Sequence, residues 1–583
     1  MTNSTGQNTD PRDLVLKTFN VFEIDPESKI SAIFDNLSDY RSESFKKNLT
    51  KNTTIAEPLV ATSECVKTKS ERQSYESIAG KFGLQGSYSF YSGSLQAAIS
   101  TSSSHKSTNY SACYYGTVNM GAAHLSQVNM PQLDYFSEEF QTSIQNITSI
   151  SLAKAHIDKY GTHVLTGVSL GGACSINIVA NTDTYADKAS ISAKVTGSYD
   201  SVSGSISGAA SAAFELNQSG SAYNLEQTAE FYGGNPSLAP NLKQSSDIST
   251  WQASCSPSTP YGIQNSMDMA AVAKALKLTT AAQYLEDYVN LFILKYSLEN
   301  PTFFTKEEPV AQFTTVEATA TVETENPEQA KFYKIIGGGA AVTNHTDANS
   351  FLTGCYPQTS ELAGGLLGIN GWIATSHDCM TAANTNNHLV SYAVAVYDPG
   401  NYLEVFVSEA SGNITTHGPD SANKPAWPCT NKLVLTGGGA QTVVNGGYPK
   451  FLVQNGPLQV SGAWNCWHAG VCDYIRFATN VELHGYAIGI SSSALTITNQ
   501  VIPNEASSPT SHGNQQGTWE GQNIIGGGVT LGPVTQSDGN LIRQNYPKNP
   551  TTWQEFNSDL DGNVSPCQAT AYAIGLTVSI NDI

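Results

Sequence analysis

Three copies of one pattern in the second half of this 583-residue chain constrain its fold most strongly. Each copy opens with a Gly-Gly-Gly run, continues through a Tyr-Pro pair and a Trp, and closes with a short aliphatic strand. The pattern elements are the glycine runs 337–339, 437–439 and 526–528, the pairs 356–357, 448–449 and 546–547, Trp372, Trp464 and Trp553, and the strands beginning at Ser391, His484 and Thr570. The copies start 100 and 89 residues apart, which exceeds the roughly 20–50-residue period of solenoids. Three large units closing around an axis therefore fit best.

Alternating and apolar strands bounded by Gly and Tyr-Pro turns favour antiparallel sheets in this half of the chain. We predict an all-β domain at 331–583 with pseudo-threefold symmetry and repeats at 331–400, 431–495 and 520–583. A β-prism-like architecture is the first choice and a β-trefoil the second. Residues 301–330 are rich in Thr, Glu and Pro, which is typical of a linker.

The amino-terminal half has a mixed pattern, so the whole chain is predicted to be α+β. Helical periodicity occurs around 134–160 and 266–296. Two long Ser/Gly/Ala-rich stretches lie between and before these helices. Residues 1–12 are polar and are expected to form a tail ahead of a domain at 13–300.

A specific motif lies between the two stretches. It consists of Tyr160, Gly161, Thr162 and His163, then Val164, six further residues, and the pair Gly171 and Gly172. This pattern resembles the signature of the MACPF (membrane attack complex/perforin) family, in which an aromatic residue is usual where this chain has Val164. The resemblance covers 13–300, because a Ser/Gly/Ala-rich segment lies on each side of the signature in that family as well.

The resemblance implies a bent antiparallel sheet flanked by two helical clusters, which unwind into transmembrane β-hairpins after a ring has assembled. It also implies an architectural role for His163, so no catalysis is expected there. Paired glycines suit a place where a strand bends or another backbone comes close.

Both flanking segments have the alternation that a transmembrane β-strand of about 9–11 residues needs. In the first, 78–118, the apolar positions are Phe82, Leu84, Tyr88, Phe90, Tyr110, Ala112, Tyr114 and Val118. In the second, 187–228, they are Ala189, Ile191, Ala193, Val195 and Tyr199 and, with the phase shifted, Val202 and Ile206. Half-buried strands in a soluble sheet would show the same alternation. Residues 209–232 also have a helix-forming composition, however, and a segment that suits both periods is typical of a fold switch.

The charge of the chain bears on its partners. It has 29 Lys and Arg against 49 Asp and Glu, a net charge of −20, which argues against binding to nucleic acid and against electrostatic attraction to anionic lipid. Capture at a target membrane then requires a separate recognition domain, and 331–583 is the candidate. Its candidate receptor-binding residues, in which an aromatic ring could stack on a sugar, are Trp372, Asp378, Trp464, Trp467, Trp553 and Asp559. The alternative is that the Trp residues fill the core of each sheet.

No catalytic motif, metal-ligand framework or cofactor-binding loop is recognisable, so we expect a protein without enzymatic activity, cofactor or metal. Cys466 and Cys472 could be buried thiols or a disulfide. No cleavable signal peptide is visible, so the protein is expected to be secreted or released by another route.

The combined expectation is a pore-forming toxin that is a soluble monomer, docks on a receptor, assembles into a homo-oligomeric ring, and inserts two hairpins per subunit into a shared barrel. The resemblance to bacterial insecticidal members of the family suggests animal gut cells as targets. The alternative is a lectin-like adhesin or carbohydrate-binding protein that does not form pores.

Overall fold

The computed structural model describes residues 10–20, 37–56, 63–66, 110–126, 131–180, 206–219, 225–242, 244–310, 314–323, 330–343, 350–361, 367–378, 387–414, 433–444, 449–472, 480–509, 512–519, 523–532, 540–549, 551–558 and 566–582. It divides into two compact units. The first comprises Met1–Val289 with Asp582–Ile583, and the second comprises Asn290–Asn581.

The first unit contains one antiparallel sheet and several helices. Its strands are β1 (Thr18–Phe19), β2 (Thr53–Ala56), β3 (Ser63–Val66), β4 (Tyr110–Leu125), β5 (His163–Ala180), β6 (Leu225–Gly233) and β7 (Ser256–Asp268). The helices are α1 (Glu43–Lys47), α2 (Leu49–Asn52), α3 (Glu138–Gln145), α4 (Ile150–Tyr160), α5 (Ile206–Ser219), α6 (Ser249–Ser254), α7 (Met269–Ala275) and α8 (Thr279–Glu299), the last of which continues into the second unit. The helical patterns at 134–160 and 266–296 are confirmed. Side chains of Ser137, Ser149 and Asp268 accept hydrogen bonds from backbone N–H groups in the first turns of α3, α4 and α7, which defines where these helices begin.

β5 is the centre of this sheet. It pairs with β4 along one side. Its other side pairs with β7 from His163 to Gly171, here called the lower half, and with β6 from Gly172 to Ala180, here called the upper half. The change of partner occurs at the signature glycines, since Gly171 pairs with Ser256 of β7 and Gly172 with Gly233 of β6.

The second unit is almost entirely β. Its strands are β8 (Thr302–Pro309), β9 (Thr315–Thr321), β10 (Tyr333–Thr343), β11 (Ser350–Glu361), β12 (Leu367–Asp378), β13 (His388–Tyr397), β14 (Glu404–Ile414), β15 (Val434–Val444), β16 (Phe451–Val460), β17 (Ala463–Cys472), β18 (Val481–Ser491), β19 (Leu495–Glu505), β20 (His512–Gly513), β21 (Gln516–Thr518), β22 (Ile524–Leu531), β23 (Leu541–Asn549), β24 (Thr552–Ser558) and β25 (Ala569–Ile580). They form the three antiparallel sheets that the repeats predict.

Each sheet of the second unit draws strands from two repeats. The glycine-run strand of one repeat pairs with the first of the two middle strands of a neighbour, so that β10 meets β23, β15 meets β11, and β22 meets β16. These three junctions form a closed cycle, because each repeat gives its middle strands to the next. The pseudo-threefold closure therefore depends on exchanged strands rather than on three self-contained sheets.

The prediction of a linker at 301–330 is wrong for most of that segment. β8 and β9 lie within it and pair with β13 and β12. β14 and β19 occupy the position of β8 in the other two repeats, since they pair with the closing strands β18 and β25. The segment is thus the start of the first repeat, and its Thr- and Glu-rich composition reflects edge strands with one solvated face.

The alignment of the second repeat also differs from the sequence expectation. The register places Gly456-Pro457, rather than Tyr448-Pro449, at the position of Tyr356-Pro357 and Tyr546-Pro547. It likewise places Trp467, rather than Trp464, at the position of Trp372 and Trp553. The residue before the Pro is therefore Tyr in two repeats and Gly in the second, whereas the buried Trp is present in all three repeats.

The glycine runs allow close packing around the axis. A Cβ on the middle glycine of each run would overlap the indole of the repeat's Trp, as in the pairs Gly338 with Trp372, Gly438 with Trp467 and Gly527 with Trp553. A Cβ on Gly437 would lie 3.1 Å from the Cα of Gly337 in the neighbouring repeat. Each indole N–H then donates to the neighbouring strand, to Cys355 Sγ at 3.3 Å, Asn455 Oδ1 at 2.7 Å and Asn545 Oδ1 at 2.6 Å.

We expect Gly338→Ala to lower the unfolding free energy of the second unit by more than about 2 kcal/mol, because the new methyl group must displace a buried indole. Thermal unfolding of the full chain measures this. Gly462→Ala is the control, since Gly462 has φ +84° but no atom within 4 Å of a Cβ and so carries only a backbone cost of about 1–2 kcal/mol. Equal melting temperatures for the two variants would contradict the packing role of Gly338.

The third repeat contains a buried acid where the others have Ala. Glu555 takes the register position of Ala374 and Ala469 and is fully buried. Its carboxyl group accepts one hydrogen bond, from the Gln515 N–H at 3.2 Å. Burial raises the pKa of Glu555 to about 8, so the group is protonated in the folded protein at neutral pH.

A raised folded-state pKa makes the second unit less stable as pH rises from the unfolded value of about 4.5 to the folded value of about 8, because the unfolded chain releases the proton first. Glu555→Ala, which restores the residue of the other repeats, should flatten this decline. Unfolding free energies measured across pH 4–9 test the prediction. If the unfolding free energy of Glu555→Ala declines with pH as steeply as that of the wild type, other titratable groups cause the decline.

Candidate functional site

The signature residues are at the lower end of β5, where they hold the amino-terminal strand. Gly161, at φ +86°, ends α4, and a Cβ there would lie 2.5 Å from the carbonyl oxygen of Phe19. The Thr162 N–H donates to that same oxygen at 2.9 Å, and the Thr162 carbonyl accepts from the N–H of Met269 at 2.9 Å. The motif thus connects β1, β5 and the start of α7 through backbone hydrogen bonds.

His163 is buried in this junction. Its ring stacks on Phe19 with 5.2 Å between centroids, and its Nδ1 lies 2.9 Å from Thr162 Oγ1. Burial lowers the pKa of His163 to about 4, against the opposing effect of the Asp268 carboxylate. A buried, neutral ring in a packing role agrees with the architectural interpretation of the motif.

Tyr160 belongs to an aromatic cluster between α3 and α4. Its ring contacts Tyr40, Phe140 and His156 at centroid distances of 4.7, 5.1 and 4.7 Å. His156 Nδ1 lies 2.8 Å from Ser143 Oγ, and burial lowers the pKa of His156 to about 3.

The two neutral histidines make the first unit sensitive to acid. Because their folded pKa values lie below the unfolded value of about 6.5, stability is complete above that pH and is lost as pH falls toward 4. We expect His156→Phe, which keeps an aromatic ring beside Phe140, to remove part of this loss. The loss is the difference between the unfolding free energies at pH 7 and at pH 4.5. If this difference is the same in His156→Phe as in the wild type, the role of His156 is refuted.

The second half of the signature forms a bend at which four glycines meet. Gly171 has φ +128°, and a Cβ on it would overlap the carbonyl oxygen of Val118 in β4. On β6, which replaces β7 as the partner of β5 at this point, a Cβ on Gly233 would overlap the Gly171 carbonyl oxygen. Gly234 follows with φ +57°. These contacts leave room for backbone only, which is why both glycine pairs are required at the bend.

Helix α6 fills the bend from one face. Trp251 is fully buried and donates its indole N–H to the Gly233 carbonyl at 3.4 Å. A Cβ on Gly172 would overlap Cys255 Sγ and lie 3.1 Å from the Trp251 ring. Gly233, Gly234 and Trp251 were not recognised from the sequence, although the Gly-Gly pair ahead of a Trp was a usable signal.

Helix α5 packs beside helix α6. Its Ala210, Ala212, Ala213 and Leu216 are buried in one cluster with Cys174 and Ile176 of β5 and with Ile248, Trp251 and Cys255. Ser207, in its first turn, donates to Gln252 of α6 at 3.4 Å. The predicted helical character of 209–232 is therefore present in part, since α5 ends at Ser219 and β6 begins at Leu225.

The two predicted inserting segments are attached at one end of the sheet. β3 ends at Val66 beside Cys113 of β4, β4 begins at Tyr110 beside Ala180, and β6 begins at Leu225 beside the same Ala180. The spatial order is β3, β4, β5, β6. The chain therefore leaves the described sheet after Val66 and after Ala180, at neighbouring strand ends.

The predicted hairpin residues divide between described and undescribed positions. Tyr110, Ala112, Tyr114 and Val118 are in β4, and Ile206 begins α5. The others lie outside the described residues, namely Phe82, Leu84, Tyr88, Phe90, Ala189, Ile191, Ala193, Val195, Tyr199 and Val202. Among the described residues, no helix has the length and apolarity to cross a bilayer.

The candidate receptor residues are mostly interior. Trp372, Trp467 and Trp553 are fully buried, and Asp378 is 4% exposed, so these four side chains offer no surface to a receptor and the core interpretation holds for the three Trp residues. Asp559 lies outside the described residues. Trp464 alone of the described candidates is partly exposed. Cys466 and Cys472 are buried and are not joined by a disulfide.

Comparisons with known proteins agree with the motif. Residues 2–267 match the family model of the MAC/Perforin domain, whereas no curated protein matches the chain. Among solved structures, GNIP1Aa from Chromobacterium piscinae is 11% identical with a TM-score of 0.31, over 72% of this chain and 73% of that one. A putative cell invasion protein with a MAC/Perforin domain from Bacteroides thetaiotaomicron is 15% identical with a TM-score of 0.29, over 56% and 72%. The cytotoxin suilysin from Streptococcus suis is 10% identical with a TM-score of 0.18, over 61% of each chain.

Proposed function

We infer from the match of residues 2–267 to the family model of the MAC/Perforin domain that this chain is a pore-forming protein that acts on target-cell membranes. The proposed sequence is capture of a soluble monomer through the second unit, assembly into a homo-oligomeric ring, and insertion of 78–118 and 187–228 as two hairpins. The mechanism requires no catalytic residue or cofactor.

The strand order at the upper end of the sheet carries this proposal. Because β3, β4, β5 and β6 are adjacent and antiparallel, extension of β3–β4 and β5–β6 as hairpins would continue one four-stranded sheet in register. Four strands from each copy can close into a barrel in which every backbone group is paired, as a bilayer requires.

The glycine bend supports a change of shape during insertion. A straight barrel wall requires the upper half of β5 to align with the lower half, and Gly171, Gly172 and Gly233 carry no Cβ to oppose that movement. Helix α5 lies over the face of the upper half and belongs to the second inserting segment. Its departure exposes the apolar positions that the barrel would turn toward lipid.

The second unit is proposed as the receptor-binding domain, with a β-prism-like architecture. Its three composite sheets around a pseudo-threefold axis support this, since loops at the ends of such sheets are frequent ligand sites. We further propose, by extension of the family resemblance alone, that the protein is released from a bacterium and acts as an insecticidal toxin on animal gut cells.

A cross-link between α5 and α6 tests the mechanism. Ser207→Cys with Gln252→Cys places two thiols on facing side chains of the two helices, whose Oγ and Oε1 atoms are 3.4 Å apart in the native protein. A short bis-maleimide should then hold α5 on the sheet. We expect the cross-linked protein to bind target-cell vesicles but release no entrapped dye, and the untreated double variant to release dye like the wild type.

Each single-cysteine variant treated with the same reagent is the control for modification without bridging. Full dye release by the bridged protein would refute departure of α5. A wild type that binds these vesicles and never permeabilises them would favour the lectin-like adhesin instead.

A further inference from the structure

One hairpin of the second unit has a sharply defined, exposed tip. β16 and β17 are joined by Ser461 and Gly462, which have φ values of +53° and +84°. Two consecutive residues with positive φ form the tight turn that matches the twist of a two-stranded ribbon. Val460, immediately before the turn, is 40% exposed.

The tip is an extension that the fold does not require. Trp372 follows Pro357 by fifteen positions in the first repeat and Trp467 follows Pro457 by ten in the second, whereas Trp553 follows Pro547 by only six in the third. The shorter hairpin, β23–β24, builds the same register around its Pro and Trp and has exposed Lys548 and Asn549 at its end. A polar tip is therefore compatible with the architecture, and the apolar residues of the longer hairpin need another reason.

Those apolar residues include an indole at the surface. Trp464 is partly exposed and packs edge-on against Tyr572, with 5.8 Å between ring centroids. The Tyr572 hydroxyl is 3.1 Å from Thr530 Oγ1. One side of the indole is thus held by a neighbouring strand, and the rest of it is partly exposed at the tip of the hairpin.

The hairpin also lacks charge. No Lys, Arg, Asp or Glu occurs from Phe451 to Cys472, in a chain with a net charge of −20. A charged partner would find no complementary group there. An uncharged surface of aliphatic and indole side chains suits the interface of a lipid bilayer, where Trp is favoured because its ring has an apolar body and a polar N–H.

We propose that the tip of the β16–β17 hairpin, Val460–Trp464, enters the interface of a zwitterionic lipid bilayer and makes the first membrane contact of the second unit. This inference rests on the proposed pore-forming function, because it supplies the capture step that the negative charge of the chain leaves without an electrostatic source. The hairpin inserts shallowly and carries no part of the pore.

Co-flotation of the full chain with phosphatidylcholine vesicles tests the proposal. We expect Val460→Lys to reduce the bound fraction about tenfold, because an ammonium group must leave water at the interface. Asn549→Lys adds the same charge to the equivalent tip of the third repeat and should bind like the wild type. Equal binding by the two Lys variants and the wild type would overturn the proposal.

A second measurement locates the contact. Vesicles of brominated phosphatidylcholine should quench part of the Trp fluorescence of the wild type, and Trp464→Phe should remove that part while preserving an aromatic ring beside Tyr572. Quenching that persists unchanged in Trp464→Phe would refute the assignment of the tip.

Flotation separates this inference from pore formation. Binding that depends on Val460 without dye release would uphold the tip and refute the pore. Dye release from cell-derived vesicles by a protein that does not bind pure phosphatidylcholine would uphold the pore and overturn the lipid contact, and inhibition of that binding by free sugars would identify a glycan receptor in its place.

Discussion

The absence of a Cβ atom at a few glycines is the constraint on which both units depend. In the first unit, β4, β5 and β6 approach one another at Gly171, Gly172 and Gly233 so closely that a methyl group would overlap a neighbouring carbonyl oxygen or the Cys255 thiol. In the second unit, three glycine runs approach the axis and admit three buried indoles. Steric exclusion at these points fixes where the first sheet bends and how the three sheets close.

The sequence predicted the parts of this arrangement that depend on local pattern. The repeated glycine runs and closing strands predicted three antiparallel sheets, and the paired glycines of the signature predicted the close backbone approach at Gly171. The exchange of middle strands between repeats was not predictable, because a strand's alternation specifies which residues are buried and not which strand is beside it. The two strands in 301–330 were missed for a related reason, since edge strands solvated on one face resemble a linker in composition.

The misalignment of the second repeat shows how an additional Trp hides a structural repeat. Trp464 was matched with Trp372 because it is the first Trp after the glycine run, whereas the register matches Trp467. The error arose because the β16–β17 hairpin carries an additional Trp near its tip. The buried equivalents Trp372 and Trp553 each bond to the neighbouring strand and serve packing, which sequence spacing alone does not distinguish from display at a surface.

Small side chains determine how the inserting segments can serve two states. Helix α5 is held on the sheet mainly by Ala210, Ala212 and Ala213 with one Leu, and a buried methyl group contributes only about 0.8 kcal/mol, against roughly 1.5–3 kcal/mol for a larger aliphatic side chain. Such weak attachment is consistent with the proposed mechanism, in which neighbouring copies would offer new strand pairing in exchange. The small side chains would also limit the affinity of each proposed hairpin for lipid, because Ala and Gly positions would bury little apolar area in a bilayer as well. Under the proposed mechanism, capture and insertion would therefore require different surfaces, and the same composition that makes the segments releasable would call for an apolar contact outside them.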